Sequence, residues 1–344
     1  MKKDNTVTIY DIAEMAGTSP RSVTRAFQDS SEISEKTKQR ILEIANRVGY
    51  RPNKVAGRMC GKPLVIGYII TGSVDVFSLE LIRGAKMAAE ALADFKTEIL
   101  IRHCRTVREG LSAIEELLSY PIDGLLYYGG KSAVQILDSV AANGIPFATT
   151  VIGGGKGNIQ MHITVDTERK GRMGASMLSM LNPSGPVAYF AGDLEESHHT
   201  SILDGFRAEA VECGLNISVV FNTQDDSRCA EEQALKLIKE YPQCSSVFFA
   251  SANSVSAIEV FRRHGFHPTI IASDVFPQMS EFIREGIVSA TIYQNPAKQA
   301  RLGIMSLYEY LTEKKQQSPQ ILITPQIVIR SNLDVYEYQG IVEL

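Results

Sequence analysis

The stretch "TIYDIAEMAGTSPRSVTRAFQDS", Thr8 to Ser30, holds two short amphipathic patterns on either side of one glycine. Thr8 followed three residues later by Asp11 is a capping-box-like start, and Ile9, Ile12, Ala13 and Ala16 recur at helical spacing around it. Gly17 ends that helix. Ser19 suits an N-cap and Pro20 the first helical position, where its missing N–H costs nothing. A second helix is therefore expected from Pro20 to about Gln28. Its inner face is Val23, Ala26 and Phe27; its outer face is Arg21, Ser22, Thr24 and Arg25, all able to donate hydrogen bonds. A hairpin built only to fold would not need two arginines on an open face. A third helix, expected from Glu35 to Val48, offers Ile41, Leu42, Ile44, Ala45 and Val48 as the floor beneath both.

Two short helices joined at a glycine turn over a third form a helix-turn-helix, whose second helix enters the major groove of DNA. Arginine there can hold guanine O6 and N7 with two bonds. Charge is distributed accordingly. Residues 1–62 carry 12 Lys and Arg against 7 Asp and Glu, which leaves 23 against 32 for the rest of a chain whose net charge is -4. A basic head on an acidic body implies that the head, not the body, meets a polyanion.

The next segment, "YRPNKVAGRMCGK" (Tyr50 to Lys62), starts a helix at Pro52 and Asn53, places Val55, Ala56 and Met59 on one side, and closes at Gly61. Gly57 inside it costs roughly 1 kcal/mol relative to alanine, and so short a helix is marginal alone.

At 344 residues the chain is long enough for several cores, and 44% hydrophobic with 22% charged residues describes a globular protein. No apolar run approaches the roughly 18 residues of a membrane span, and "DNTVTIYD" after Met1-Lys2-Lys3 is unlike a signal peptide. A cytoplasmic location is expected. The five cysteines form no C-x-x-C pair or metal-spaced cluster and read as reduced thiols; His198-His199 reads as a loop pair, because sequence neighbours point apart in regular structure. No metal and no cofactor is expected.

From Pro63 onward apolar strands alternate with amphipathic helices. "LVIGYII" (64–70), "KTEILIRHC" (96–104), "DGLLYYG" (123–129) and "PFATTVI" (146–152) read as strands, with "SLELIRGAKMAAEALA", "VREGLSAIEELLS" and "AVQILDSVAANG" as helices between them. "GPVAYFAG", "NISVVFN", "CSSVFFAS", "TIIASD" and "SATIYQN" continue as a second series. Two βαβ series imply two doubly wound parallel-sheet lobes, with ligands at the carboxyl ends of the strands. "VIGGGKGN" lacks the spacing and Ser/Thr of a phosphate loop and reads as a surface loop; there is no G-x-S-x-G or H-E-x-x-H, so an enzyme is not expected.

"TIYDIAEMAGTSPRSVTRAF" and "ISEKTKQRILEIANRVGYRPNKVA" closely resemble the DNA-binding head of the lactose-repressor (LacI) family of bacterial transcription regulators, and the likeness continues more loosely to the end of the chain. The resemblance implies that Pro20, Arg21 and Arg25 select bases, while Lys2, Lys3, Tyr10, Ser19, Ser22, Thr24 and Asn53 lie near phosphates. It implies a hinge helix formed only in the DNA-bound dimer, with Met59, where the family usually has leucine, as the wedge entering the minor groove. Gly57 and Cys60 also depart from the usual hinge.

For the body the resemblance implies a type I periplasmic-binding-protein core: two lobes linked by three crossings and closing on a small effector, commonly a sugar. It places Asp75, Phe77, Asn253, Asp274 and Gln294 at the cleft. Val151-Ile152 and Ile202 stand where many relatives have an Asp-Arg pair and a ligand-gripping arginine.

The expected organisation is a head over 1–49, a hinge over 50–62 and a core over 63–344. Lobe 1 is about 63–162 with 294–325, and lobe 2 about 163–293 with 326–344. The expected function is a homodimeric repressor on a two-fold symmetric operator, controlled by a sugar or sugar derivative. The alternative is a regulator gated by a partner protein, with a vestigial cleft.

Overall fold

The computed structural model describes residues 8–27, 33–48, 63–72, 76–119, 122–130, 133–151, 159–182, 184–313 and 318–341. The expected hinge, with Asn53 and Met59, lies outside them, as do Lys2, Lys3, Asp75, Ile152 and the glycine loop after it.

The head is three helices, α1 (Ile9–Met15), α2 (Pro20–Phe27) and α3 (Glu35–Arg47). The capping box forms: the Thr8 N–H donates to Asp11 Oδ2 at 2.7 Å and the Asp11 N–H to Thr8 Oγ1 at 3.4 Å. Gly17 takes φ 58° in the turn, a left-handed conformation that a β-carbon disfavours. Ser19 Oγ accepts the Ser22 N–H at 3.2 Å, and Ser34 Oγ accepts that of Thr37 at 3.3 Å. α3 ends at Arg47, with Val48 as its C-cap. Ile12, Ala13, Ala16, Val23, Ala26, Ile41, Ile44 and Ala45 form the core, with Phe27 and Val48 packed on it. Each large side chain fully buried there contributes about 1.5–3 kcal/mol.

The body has two six-stranded sheets. The first is laid down by β1 (Leu64–Thr71), α4 (Val76–Leu92), β2 (Thr97–Cys104), α5 (Val107–Ser119), β3 (Gly124–Tyr128), α6 (Ala133–Ala142), β4 (Phe147–Thr150) and β5 (Ile159–Val165). The second follows with α7 (Thr167–Leu181), β6 (Val187–Ala191), α8 (Ser197–Cys213), β7 (Ile217–Asn222), α9 (Ser227–Glu240), β8 (Ser246–Phe249), α10 (Val255–Arg263), β9 (Thr269–Ser273), α11 (Pro277–Arg284) and β10 (Ala290–Tyr293). The chain then crosses back into α12 (Pro296–Glu313), which packs on the first sheet, and β11 (Gln320–Ile323). It ends with β12 (Gln326–Val328) and α13 (Leu333–Ile341). Seven of the eight residues of β1, and all of β4, β6, β8 and β10, are buried, because helices cover both faces.

Strand order is β11-β5-β4-β3-β1-β2 in one sheet and β12-β10-β9-β8-β6-β7 in the other. Both are parallel as expected, except that β12 runs antiparallel to β10. β5, β11 and β12 correspond to no expected strand. β5 pairs with β4 and β11 and stays in the first sheet to Val165, three residues past the expected lobe boundary at 162. The short strands β11 and β12 lie at sheet edges with partly exposed residues, so their apolar pattern is weak.

The His198-His199 expectation is corrected. Both lie in the first turn of α8, not in a loop, and their ring centroids are 4.0 Å apart. Cys104, Cys213, Cys229 and Cys244 are free thiols.

Candidate nucleic-acid interface and ligand cleft

In the head, Arg21 and Arg25 lie one turn apart on α2, so they share a face. Arg21 is exposed and Arg25 half-buried, opposite the buried Val23 and Ala26. Pro20 is the first residue of α2, and Ser19 and Ser22 join hydroxyls at 3.0 Å across its start. Tyr10 on α1 is 71% exposed. Thr24 is on α2, its side chain outside the description. The head thus presents two guanidinium groups, hydroxyls and a phenol on a rigid three-helix base, chemistry suited to bases and phosphates.

In each body sheet the strand order reverses at one place: between β1 and β3 in the first, between β6 and β8 in the second. Crevices outside the carboxyl ends of strands at such switch points are where open α/β sheets bind ligands. The two ends approach one another, since a β-carbon on Gly130, just past β3, would sit 2.7 Å from Glu196 Oε1 at the start of α8. Val76, at the start of α4, packs on the core of the second lobe.

At the second switch point, Asp225 Oδ2 accepts from His199 Nε2 at 2.8 Å and Oδ1 accepts from Ser251 Oγ at 2.5 Å. Asn253 holds the same loop, its Nδ2 donating to the Asp225 carbonyl at 2.9 Å. Gly192, just past β6, makes room: a β-carbon there would lie 2.2 Å from His199 Cε1 and 2.6 Å from Asp225 Oδ1. Burial opposes ionisation of Asp225, but hydrogen bonds from His199 and Ser251 and the nearby imidazoles outweigh it and hold its pKa well below the carboxylate range. Burial and the neighbouring His199 push His198 down to about 3, so it is neutral. Among the described residues, Nδ1 of both histidines is buried without a hydrogen-bond partner.

Behind this group Lys170 on α7 is fully buried, its Nζ donating to the Ala250 carbonyl at 2.8 Å. Burial lowers its pKa to about 8, against the pull of Asp274 and Asp225. Asp274, just past β9, is 4% exposed and takes φ 65°. Its Oδ1 accepts the Gln294 N–H at 3.0 Å and its Oδ2 the Gln294 side-chain amide at 2.6 Å. Burial raises its pKa, Lys170 and these bonds opposing.

In the first lobe Phe77 faces Tyr128 with ring centroids 5.8 Å apart, and Thr71 Oγ1 meets Tyr127 OH at 2.7 Å. Val151 takes φ 65° and is buried, its N–H donating to the Ile163 carbonyl at 2.8 Å. Ile202 is 1% exposed in the apolar core with Tyr189 and Phe206.

The structure therefore couples Asp274 directly to Gln294 and ties Asn253 to Asp225; Phe77 stands in the other lobe. His199, Asp225, Ser251 and Lys170 were not anticipated as members of this group. Asp225 and Ser251 carried a usable signal, as polar residues just after the apolar strands "ISVVFN" and "SVFFA". Lys170 carried a subtler one: it sits beside Gly171 and Gly174 on a small-residue helix face, where α7 packs too closely on α8 and β8 for a β-carbon. Among the described residues no group of three or more His, Cys, Asp or Glu is arranged to hold a metal, and no helix is long and apolar enough to cross a membrane.

Residues 8–53 match the family of bacterial regulatory proteins of the lacI type, and residues 66–315 match the periplasmic binding protein domain. The HTH-type transcriptional regulator DegA of Bacillus subtilis is 26% identical over 344 residues, 94% of this chain and 97% of that protein. Catabolite control protein A of Priestia megaterium is 24% identical over 300 residues, 81% of this chain and 87% of that protein. Among solved structures, GanP, a glucose-galactose binding protein from Geobacillus stearothermophilus, superposes with TM-score 0.72 at 17% identity, covering 79% of this chain and 99% of its own. A solute-binding protein from Burkholderia graminis in complex with D-arabinose does so with TM-score 0.72 at 20% identity, covering 80% and 98%. These two likenesses are of fold. With its arginine-bearing helix-turn-helix and its two-lobed body, the chain belongs to the LacI family of DNA-binding transcriptional regulators.

Proposed function

We propose that this regulator is a homodimeric repressor whose hold on a two-fold symmetric operator is set by a small molecule, a sugar or sugar derivative, in the cleft between the lobes. The observation that carries the reading is the convergence of His199, Asp225, Ser251 and Asn253 at the switch point of the second sheet, across from Phe77 and Tyr128 at the carboxyl end of the first. On the DNA side, Arg21 and Arg25 read bases from α2, with Pro20 as the helix start. Tyr10, Ser19, Ser22, Thr24 and Asn53 contact phosphates, and Met59 is the wedge. Asp75, Phe77, Asn253, Asp274 and Gln294 belong to the cleft, with Asp274 and Gln294 acting as one bonded unit. A cytoplasmic location fits contact with chromosomal DNA. One head makes few base contacts, and two-fold sites mirror two-fold proteins, which supports the dimer.

The test selects binding sites for the full chain from random duplexes, then titrates the selected site with and without cleft ligands found by thermal shift, since a ligand of the native state stabilises it by mass action. The reading requires a symmetric site and a ligand that shifts operator affinity. A chain that binds the site, ignores every small molecule and responds to a partner protein supports the partner-gated alternative, with a vestigial cleft.

A further inference from the structure

The recognition group of the second lobe has an unusual balance. Asp225 is held ionised, with 37% of its side chain exposed, so part of a stable negative charge is open to a ligand. The lysine behind it does not reach outward: Lys170 has no exposed surface and bonds the Ala250 carbonyl. His199 Nε2 donates to Asp225 Oδ2, and its Nδ1 is buried without a hydrogen-bond partner. His199 is 5% exposed, so it acts on the site through its bond to Asp225. Glu196 adds a further carboxylate at the mouth, beside Gly130 of the first lobe. At the first sheet, the half-buried Phe77 and Tyr128 rings form an aromatic pair, a surface that attracts cations through the ring quadrupole. Among the described residues of this group, the charge that reaches the surface is the Asp225 carboxylate, while Lys170 stays buried. A carboxylate or phosphate would meet the like charge of Asp225; an ammonium would meet an ionised acceptor and aromatic rings.

We propose that the effector carries a protonated amine and that Asp225, positioned by His199 and Ser251, is the residue that binds it. This rests on the ligand-gated reading above and narrows it to amine-bearing compounds, amino sugars foremost. The ammonium donates to the Asp225 carboxylate, which the bonds from His199 and Ser251 keep from rotating away. The neutral state of His198 keeps a competing positive charge out of the site.

The test is a thermal-shift and calorimetric panel on the full-length protein, in sets matched by carbon skeleton: glucosamine, glucose and glucuronate; galactosamine, galactose and galacturonate; mannosamine, mannose and mannuronate. At least one amine should bind at least tenfold more tightly than both its neutral and its acidic counterparts, with an apparent Kd that rises with salt. Asp225→Asn should abolish that preference and its salt dependence, bringing the amine within about threefold of the neutral sugar; the variant's melting curve reports that it is folded. A neutral or acidic sugar as the tightest binder overturns the amine assignment while leaving ligand gating intact. An amine preference that survives in folded Asp225→Asn overturns the role of Asp225. If no member of any set binds, the amine assignment is overturned and the ligand-gated reading loses its support as well.

Discussion

The Asp274 carboxylate accepts both the backbone N–H and the side-chain amide of Gln294, at 3.0 and 2.6 Å, just where the chain leaves the second lobe for the first. The bond ties the end of β9 to the residue before Asn295, which takes φ 53°, and Pro296, which begins α12. Asp274 therefore pins an interlobe crossing, and Lys170 supplies the nearby positive charge. Asp274→Ala would strand the Gln294 amide and unbalance the buried lysine. We expect it to cost about 1–3 kcal/mol in urea unfolding, the range for leaving a buried donor unpaired. Asp274→Asn, which retains one acceptor and tolerates positive φ, should cost less.

Gly192 tests the packing of the recognition group. Its β-carbon would lie 2.2 Å from His199 Cε1 and 2.6 Å from Asp225 Oδ1, closer than such atoms approach. Gly192→Ala should separate His199 from Asp225 and weaken any cleft ligand at least tenfold, while operator binding without ligand is unchanged. Calorimetry on the ligand and a gel shift on the operator read the two effects separately.

His198 sets an acid limit on stability. Burial holds the folded pKa at about 3, whereas an unfolded histidine takes up its proton near about 6.5. Between these values the unfolded state binds more protons, so stability falls as pH drops from about 6.5 towards 3. His198→Gln should flatten that part of a plot of unfolding free energy against pH; an unchanged slope would mean that His198 is open to solvent in the folded protein.

The head was legible because its signals are local. Thr8 with Asp11, Gly17, and Ser19 with Pro20 each specify one terminus within a few residues, and the structure forms each as expected. The buried strands were legible for the same reason, as unbroken apolar runs between helical periods. The edge strands β11 and β12 were not, since three or four partly exposed residues leave no period to find. The recognition group was half visible. Asn253, Asp274 and Gln294 follow strands, but the His199–Asp225 bond joins residues 26 apart through a loop whose shape depends on Gln224 and Asp225 taking positive φ. No spacing rule reports that. His198 and His199 read as a loop pair because sequence neighbours diverge in regular structure, yet both lie on α8 with their ring centroids 4.0 Å apart.

The hinge reading gives its own experiment. If Met59 wedges between base steps, Met59→Ala should reduce operator bending in a circular-permutation gel assay and lower affinity for the selected site. Unchanged bending would remove the wedge from the account.

The reading helix is the centre of the account, and the ratio of affinities for the selected operator and for random duplex tests it most directly. Arg21 and Arg25 share the outward face of α2, so Arg21→Ala and Arg25→Ala should each lower that ratio by about 1–3 kcal/mol and relax choice at one base pair per half-site. Both variants keep the buried face of α2 and should melt with the wild type. If folded variants discriminate operator from random DNA as well as the wild type does, α2 does not read the major groove and the account fails at its centre.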